Sequence, residues 1–222
     1  MYDTVIFDYG NTLCKMGSIA RTLGKVHPSK FAFQIGTLIE EYIEQLYPPE
    51  RVSVLDWEAI WRTAFLTYGL PFDEDIGRKH LAQFASEGEL YDYTIPVLES
   101  LKSRGIKMVL LANITGATEV FQQDLDARGL SRYFDRVIWT SEIGYRKPSP
   151  KAYQLALNSI GSSPATTLMV GNNIATDIEG ASDLGISTLL LCDQHSVCSY
   201  ADYVVIRSNA AEEIIRVAEL VD

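Results

Sequence analysis

The sequence predicts an α/β fold, with a mostly parallel sheet between two layers of helices and an all-helical segment inserted after the first strand. Two observations support this fold class. From Tyr91 onward, short apolar runs alternate with helical segments on short loops, which is typical of parallel βαβ units. Residues 17–89 instead show helical periodicity with few strand-like runs. We therefore expect one α/β core interrupted by a helical insertion.

The first strand is predicted at residues 5–7, where Val5, Ile6 and Phe7 lead directly into Asp8 and then into a Gly-Asn turn signal. An apolar run that ends at a turn signal indicates a buried strand. Open α/β sheets bind ligands at the carboxyl ends of their strands. Asp8 is therefore the first candidate functional residue, although aspartate is also a common turn residue.

Three helices are predicted in the insertion. In the first, apolar residues from Phe31 to Leu46 recur at spacings of three and four, and Pro48-Pro49 ends the pattern. The second begins at Asp56 with acidic residues in its first turn and runs to about Tyr68-Gly69. The third begins at Asp73-Glu74-Asp75. His27, His80 and His195 show no partner spacing, so we expect them to be structural or exposed.

The remaining elements alternate along the chain. Strands are predicted at 108–112, 136–140, 168–170, 188–191 and Tyr203–Ile206. Helices are predicted at 96–104, 116–129, Pro150–Ile160 and 177–184, with a last helix that ends at Val221.

The amino-acid composition argues against nucleic-acid and membrane partners. The 222 residues include 19 Lys and Arg against 29 Asp and Glu, a formal net charge of -10. No run of basic residues exceeds two, so the electrostatic footprint of a nucleic-acid-binding protein is missing. No apolar run approaches the roughly 18 residues of a membrane span, and no leader pattern is seen. We expect a soluble, cytoplasmic protein without nucleic-acid or membrane partners, either monomer or homodimer.

Because the strands of a parallel sheet end along one edge, the residues that follow each apolar run can converge. These residues are Asp8, Asn113 with Thr115, Lys147, Asn172 and Asp177. They supply a nucleophilic acid, neutral hydrogen-bonding groups, one cation and oxygens that suit a metal ion. A phosphoryl-transfer site needs these groups. The acidity of the chain also means that an anionic substrate requires a local positive site.

Four motifs in order resemble those of the haloacid dehalogenase-like hydrolase (HAD) superfamily, and the resemblance covers the whole chain. The motifs are Asp8-Tyr9-Gly10-Asn11-Thr12-Leu13, Leu110-Leu111-Ala112-Asn113, Gly144-Tyr145-Arg146-Lys147-Pro148-Ser149-Pro150 and Val170-Gly171-Asn172-Asn173-Ile174-Ala175-Thr176-Asp177. The resemblance implies a Rossmann-like catalytic core of residues 1–15 and 90–222, with a helical cap domain at 16–89.

The resemblance also implies a role for each matching residue. Asp8 would attack a phosphoryl group and become an aspartyl-phosphate, and Lys147 would neutralise charge beside it. Mg²⁺ would be held by Asp8, the backbone carbonyl of Gly10 and fourth-motif oxygens, for which Asn172 and Asp177 are the candidates. The substrate, a small phosphorylated metabolite, would contact Gly10, Asn11, Asn113 and Thr115.

Three departures from the family pattern leave other functions open. Gly10 stands where the phosphatases usually carry a second aspartate, Ala112 where Ser or Thr is usual, and Asn172 where Asp is usual. The loss of positioned acid–base help typically costs about 10²–10⁴ in rate. One alternative is a metal-independent 2-haloacid dehalogenase, whose nucleophilic aspartate is also followed by tyrosine and glycine. The other is a catalytically impaired member that binds a ligand or partner protein.

Overall fold

A computed structural model of the chain describes residues 2–48, 50–194 and 197–220. Six strands form the main sheet: β1 (Thr4–Phe7), β4 (Lys107–Ala112), β5 (Arg136–Trp139), β6 (Thr167–Gly171), β7 (Ser187–Cys192) and β8 (Tyr203–Ile206). Two further strands, β2 (Cys14–Lys15) and β3 (Glu89–Leu90), form an antiparallel pair of their own.

The helices fall into two groups. Those of the insertion are α1 (Ile19–Val26), α2 (Ala32–Leu46), α3 (Trp57–Thr67) and α4 (Glu74–Ser86). Those of the core are α5 (Thr94–Ser103), α6 (Thr118–Ala127), α7 (Thr140–Ile143), α8 (Pro150–Ile160), α9 (Gly180–Ser182) and α10 (Ala210–Ala218), with a π-helical segment at Ile174–Glu179 before α9.

The main sheet has the strand order β5-β4-β1-β6-β7-β8, and all its neighbouring strands are parallel. This confirms the predicted α/β fold. The chain leaves β1 toward β4 on one side and leaves β6 toward β7 on the other. The adjacent strands β1 and β6 therefore mark the topological switch point, where α/β sheets form ligand crevices.

Alternate residues of β1 enter two different cores. Val5 and Phe7 pack in the larger cluster with residues of α5, α6 and α10, while Ile6 packs against Tyr153 and Ala156 of α8. Because successive side chains of a strand point to opposite faces, this arrangement buries both faces of the sheet. It also holds Asp8, the next residue, at the carboxyl edge.

The helical insertion begins and ends at the small antiparallel sheet, where Cys14 pairs with Leu90 and Lys15 with Glu89. Its apolar side chains join the larger core cluster, among them Ile35, Ile39 and Trp61. The pairing places the two ends of the insertion side by side next to β1. The sequence did not predict it, because two-residue strands carry no recognisable period. The domain boundary at residues 16–89 stays a prediction.

His80 illustrates how the insertion is held together. It is fully buried, and its Nδ1 accepts a hydrogen bond from Trp61 Nε1 at 3.0 Å. Its Nε2 lies 2.8 Å from the carbonyl oxygen of Ile19, to which it donates. Burial lowers the pKa of His80 to about 4. The neutral imidazole thus joins α1, α3 and α4, as expected for a structural histidine, whereas His195 lies outside the described residues.

Several element boundaries differ from the sequence predictions, and helix α1 of the insertion was not predicted. The helix expected from Asp177 begins at Ile174 instead, because the Asn173 side chain accepts the Thr176 N–H at 3.0 Å and caps it. Thr140 begins α7 rather than ending β5. The last helix ends at Ala218, and Val221 lies outside the described residues.

Candidate active site

The turn after β1 places Asp8 at the base of a crevice. The carbonyl of Tyr9 accepts N–H groups of Thr12, Leu13 and Cys14 at 2.9–3.2 Å, which closes a tight turn. Asn11 has a φ of 58°, a left-handed conformation that asparagine tolerates better than most residues. Thr12 Oγ1 then donates to Asp8 Oδ2 at 2.9 Å. The turn therefore orients the carboxylate and leaves it only 8% exposed.

Lys147 is the cation of the site. Its Nζ lies 2.8 Å from Asp8 Oδ1 and 2.7 Å from Asp177 Oδ1. Lys147 and Asp177 are each only 1% exposed. One ammonium group thus joins two carboxylates that follow the adjacent strands β1 and β6, with a formal local charge of minus one.

Burial is the largest single influence on the pKa values of Asp8 and Lys147. It raises the pKa of Asp8 above its usual range, against the lowering effect of Lys147 and Thr12 and with a further increase from Asp177. Burial alone would lower the pKa of Lys147, but the two carboxylates raise it above its ordinary value. Lys147 therefore keeps its proton under conditions in which Asp8 ionises.

Asp177 also holds the loop after β6. Its Oδ2 accepts the backbone N–H groups of Asn172 at 3.1 Å and Asn173 at 2.9 Å. Gly171 makes this approach possible, since a Cβ there would lie 2.4 Å from the Asp177 side chain. With Oδ1 bound to Lys147, both oxygens already have protein partners. These contacts favour a loop-holding role, and direct metal ligation by Asp177 stays a prediction.

Two side-chain oxygens that could bind a hard cation lie close to the hydroxyl group of Thr12. Its Oγ1 lies 2.9 Å from Asp8 Oδ2 and 3.0 Å from Asn172 Oδ1. A hydroxyl group has one proton to donate, so one of these two oxygens keeps free acceptor capacity in any arrangement. Oxygen-only donors of this kind fit Mg²⁺, and we expect Asp8 and Asn172 to be the side-chain ligands.

The expected affinity is modest. Within residues 2–48, 50–194 and 197–220, no group of three or more acidic, histidine or cysteine side chains is placed to hold a metal. Asn172 supplies an oxygen without a charge, and the predicted carbonyl ligand of Gly10 is also neutral. Because Asp177 is already bound to Lys147 and to two backbone N–H groups, Asp8 is the carboxylate ligand that we expect to contribute most of the charge.

Asn113 and Thr115 differ in their relation to the Asp8 pocket, which Asn113 lines and Thr115 does not. Asn113 Nδ2 donates to the Lys147 carbonyl at 3.0 Å, and its Oδ1 accepts the Lys147 N–H at 3.0 Å. The Asn113 amide therefore clamps the Lys147 backbone to the end of β4, with its side chain facing the Asp8 pocket. Thr115 lines an adjoining, more apolar pocket of about 290 Å³. Substrate contacts by Gly10, Asn11, Asn113 and Thr115 stay predictions.

The pocket over Asp8 has a volume of about 270 Å³ and contains groups that the sequence did not identify. Tyr47 and Arg51, from the loop after α2, line it together with Arg146, Lys147 and the turn residues Gly10 and Asn11. Arg146 could have been found as the neighbour of Lys147 in the third motif. Arg51 has no such signal. A larger and mostly apolar cavity of about 550 Å³, between α2 and α3, contains none of the strand-end side chains.

We compared the chain with families of known proteins. Residues 2–185 match the family described as haloacid dehalogenase-like hydrolase. The chain belongs to this family. The sequence-based recognition of the family is thereby confirmed.

Relatives within the haloacid dehalogenase-like hydrolases include phosphatases. The chain is 27% identical to the ribulose-1,5-bisphosphate 5-phosphatase of Halopiger xanaduensis over 238 aligned positions, which span 100% of this chain and 99% of that protein. It is 34% identical over 98 residues to the glyceraldehyde 3-phosphate phosphatase of Methanothermobacter thermautotrophicus, and this match spans 44% of the chain and 42% of that protein.

A solved structure shares the fold. L-2-haloacid dehalogenase from Xanthobacter autotrophicus has a TM-score of 0.71 with 21% identity and covers 96% of this chain and 98% of its own. At this identity the likeness concerns architecture alone. Among the described residues, no helix is long and apolar enough to cross a membrane.

Proposed function

We propose that this protein is a magnesium-assisted phosphatase that hydrolyses a small phosphorylated metabolite through an aspartyl-phosphate on Asp8. The observation that carries the proposal is the contact of 2.8 Å between Lys147 Nζ and Asp8 Oδ1 at the base of an open pocket. Membership in a hydrolase family with phosphatase relatives supports it. The cytoplasmic location expected from the sequence is part of the same proposal.

In the first step a carboxylate oxygen of Asp8 forms a bond to phosphorus, and the bond between phosphorus and the ester oxygen breaks. In the second step water attacks the phosphorus, inorganic phosphate leaves and the Asp8 carboxylate is restored. Lys147 stays protonated and offsets the negative charge that gathers at the phosphoryl oxygens. A bound Mg²⁺ would polarise a phosphoryl oxygen, with Asp8, Asn172 and the Gly10 carbonyl as its protein ligands.

Neither of the carboxylates that line the pocket in the described structure is free to move protons in either step. Among the residues that line it, the acidic ones are Asp8 and Asp177, and both are bound to Lys147. The departing alcohol therefore takes its proton from solvent, and the attacking water has no positioned base. We infer slow turnover, with the phosphorylated Asp8 accumulating before it is hydrolysed.

A second candidate function is metal-independent removal of halide from a 2-haloacid. The observation that favours it is the full engagement of the Asp177 carboxylate by Lys147 and by two backbone N–H groups, which leaves few charged ligands for a cation. In that reaction Asp8 would displace the halide and form an ester that water then hydrolyses.

One set of assays separates these functions. The purified protein is incubated with a panel of phosphate esters, including ribulose 1,5-bisphosphate and glyceraldehyde 3-phosphate, with and without Mg²⁺. Parallel reactions use 2-chloropropionate and the variant Asp8→Asn. Phosphate release that requires Mg²⁺ and disappears in Asp8→Asn is the expected result. Halide release without metal would replace it with the second function, and inactivity of folded protein on both substrate classes would contradict both.

A further inference from the structure

Two arginines in the Asp8 pocket have no ionic partner. No carboxylate lies within ion-pair distance of Arg51 or Arg146 in the part of the chain that the structure describes. The Nε of Arg51 and the Nη1 of Arg146 are both buried without a hydrogen-bond partner. A buried donor of this kind carries a desolvation cost that a bound acceptor would remove.

Defined contacts with the rest of the chain fix the positions of Arg51 and Arg146. The Arg146 guanidinium lies 3.8 Å from the centre of the Tyr47 ring, a cation–π contact that fixes its orientation. The Tyr47 hydroxyl accepts the Leu55 N–H at 2.9 Å, which closes the loop that carries Arg51. Both arginines are therefore held by the same loop of the insertion.

Backbone pairing brings the arginine of the insertion to the arginine of the core. The Arg146 N–H donates to the Val52 carbonyl at 2.8 Å, and Ser53 forms an antiparallel bridge with Tyr145. Burial lowers the pKa of Arg146, and the like charge of Arg51 lowers it further. Two cations are thus held near each other with no carboxylate of the described residues paired to either, in a chain whose net charge is -10.

The position of the pair differs from that of Lys147. Lys147 points into the sheet edge and contacts Asp8 and Asp177, whereas Arg146, its immediate neighbour, stacks on the insertion. Neither arginine is within ion-pair distance of Asp8 or Asp177. Lys147 serves the phosphoryl group under attack. Both arginines line the same pocket, Arg51 from the loop of the insertion and Arg146 from the loop that also carries Lys147.

We propose that Arg51 and Arg146 bind a second anionic group of the substrate, so that the preferred substrate is a small phosphate ester with a further phosphate or carboxylate. This inference rests on the proposed phosphatase function and narrows its substrate class. Guanidinium groups form paired hydrogen bonds with both phosphate and carboxylate. The pocket of about 270 Å³ suits a small molecule that spans the distance from Asp8 to the arginine pair.

The test uses pairs of substrates that differ in the second anion. Glycerol 3-phosphate is compared with 3-phosphoglycerate, and fructose 6-phosphate with fructose 1,6-bisphosphate, in the presence of Mg²⁺. The variants are Arg51→Gln and Arg146→Gln. Arg216→Gln, which removes an exposed arginine paired with Glu213 on α10, is the matched control. Binding of the same four compounds to Asp8→Asn is measured by calorimetry.

We expect kcat/KM to favour the doubly anionic member of at least one pair. Each pocket variant should lower that value by about 10- to 100-fold, the typical effect of a hydrogen bond to a charged group. The singly anionic partner should change less than about threefold, and Arg216→Gln should match the parent protein. The carboxylate and phosphate pairs show which second anion is preferred.

Two results would overturn the inference and leave the phosphatase function standing: equal loss on both members of a pair in the arginine variants, or no preference in either pair. If no ester is hydrolysed, the phosphatase function fails, and calorimetry alone decides the inference. Tighter binding of the doubly anionic compounds, lost in Arg51→Gln and Arg146→Gln on the Asp8→Asn background, would still support it. Equal binding of all four compounds would refute it.

Discussion

Introducing an aspartate at position 10 should accelerate phosphate-ester hydrolysis. In the parent protein both carboxylates that line the pocket are bound to Lys147, so neither is free to protonate the leaving alcohol or to activate water. Gly10 lines the pocket beside Asp8 and lies outside the left-handed backbone region. A side chain at this position can therefore be introduced without backbone strain.

The available space sets the expected size of the gain. A Cβ at position 10 would lie 3.2 Å from Met16 Cγ and 3.7 Å from Met16 Sδ, so the Met16 side chain must move by a few tenths of an ångström. A displaced rotamer costs about 1 kcal/mol, equivalent to about fivefold in rate. Positioned acid–base catalysis contributes about 10²–10⁴. Gly10→Asp should therefore raise turnover by about 20- to 2,000-fold.

The assay separates formation of the phosphorylated enzyme from its hydrolysis. With p-nitrophenyl phosphate the parent protein should release a burst of about one equivalent of p-nitrophenolate and then turn over slowly, because water attack lacks a base. Gly10→Asp should remove the burst and raise the steady-state rate. With glycerol 3-phosphate, whose leaving group needs a proton, formation of the intermediate should also become faster.

Gly10→Asn and Gly10→Ala are the controls, since both add a Cβ without a carboxyl group and should not increase the rate. The reasoning is refuted if Gly10→Asp, folded to within a few degrees of the parent Tm, is no faster than Gly10→Asn. A parent protein without a burst would also contradict the predicted slow second step.

Two further predictions concern stability and its link to the site. Gly171→Ala should destabilise the protein by about 1–3 kcal/mol, the usual cost of overpacking, because the new Cβ would lie 2.4 Å from Asp177. The same substitution should also lower activity. The control Gly24→Ala has no atom within 4 Å of the added Cβ, so urea titrations should show it to be neutral or slightly stabilising. His80, with a pKa lowered by burial from the ordinary histidine value of 6.5 to about 4, is neutral in the folded state, so the unfolded chain binds more protons between these two values. The free energy of unfolding should therefore fall by about 3 kcal/mol as the pH drops from 6.5 toward 4. His80→Gln should flatten this pH dependence. If both proteins show the same slope, the pH dependence of stability comes from other groups.

The sheet and the strand-end residues could be predicted because each depends on a local pattern. Apolar runs such as residues 108–112 end at polar residues, and parallel strands bring those ends to one edge. Asp8, Lys147 and Asp177 accordingly lie in contact, and Asn113 contacts the Lys147 backbone. The pattern did not predict which role each of these residues has, because that role depends on hydrogen-bond partners that are distant in sequence.

The arginine pair shows why part of the site stayed hidden. Arg51 reaches the pocket because the loop after α2 pairs with residues 145 and 146, a contact between segments about ninety residues apart with no periodicity to predict it. Arg51 matters because no carboxylate among the described residues pairs with it, and the sequence alone does not reveal which charged side chains meet. Short strands such as Cys14–Lys15 were missed for a similar reason, since their pairing is a tertiary contact.

Lys147 has a consequence for how mutations accumulate in chains of this kind. Through its ammonium group and its backbone it joins the ends of β1, β4 and β6. Loss of the lysine would leave two carboxylates buried without a cation, and breaking a buried pair in this way typically costs about 3–5 kcal/mol. Selection for a folded chain alone would therefore retain Lys147, even in a descendant that no longer turns over substrate. Gly10 has no such structural role, so its identity is the better indicator of whether hydrolysis has been lost or regained.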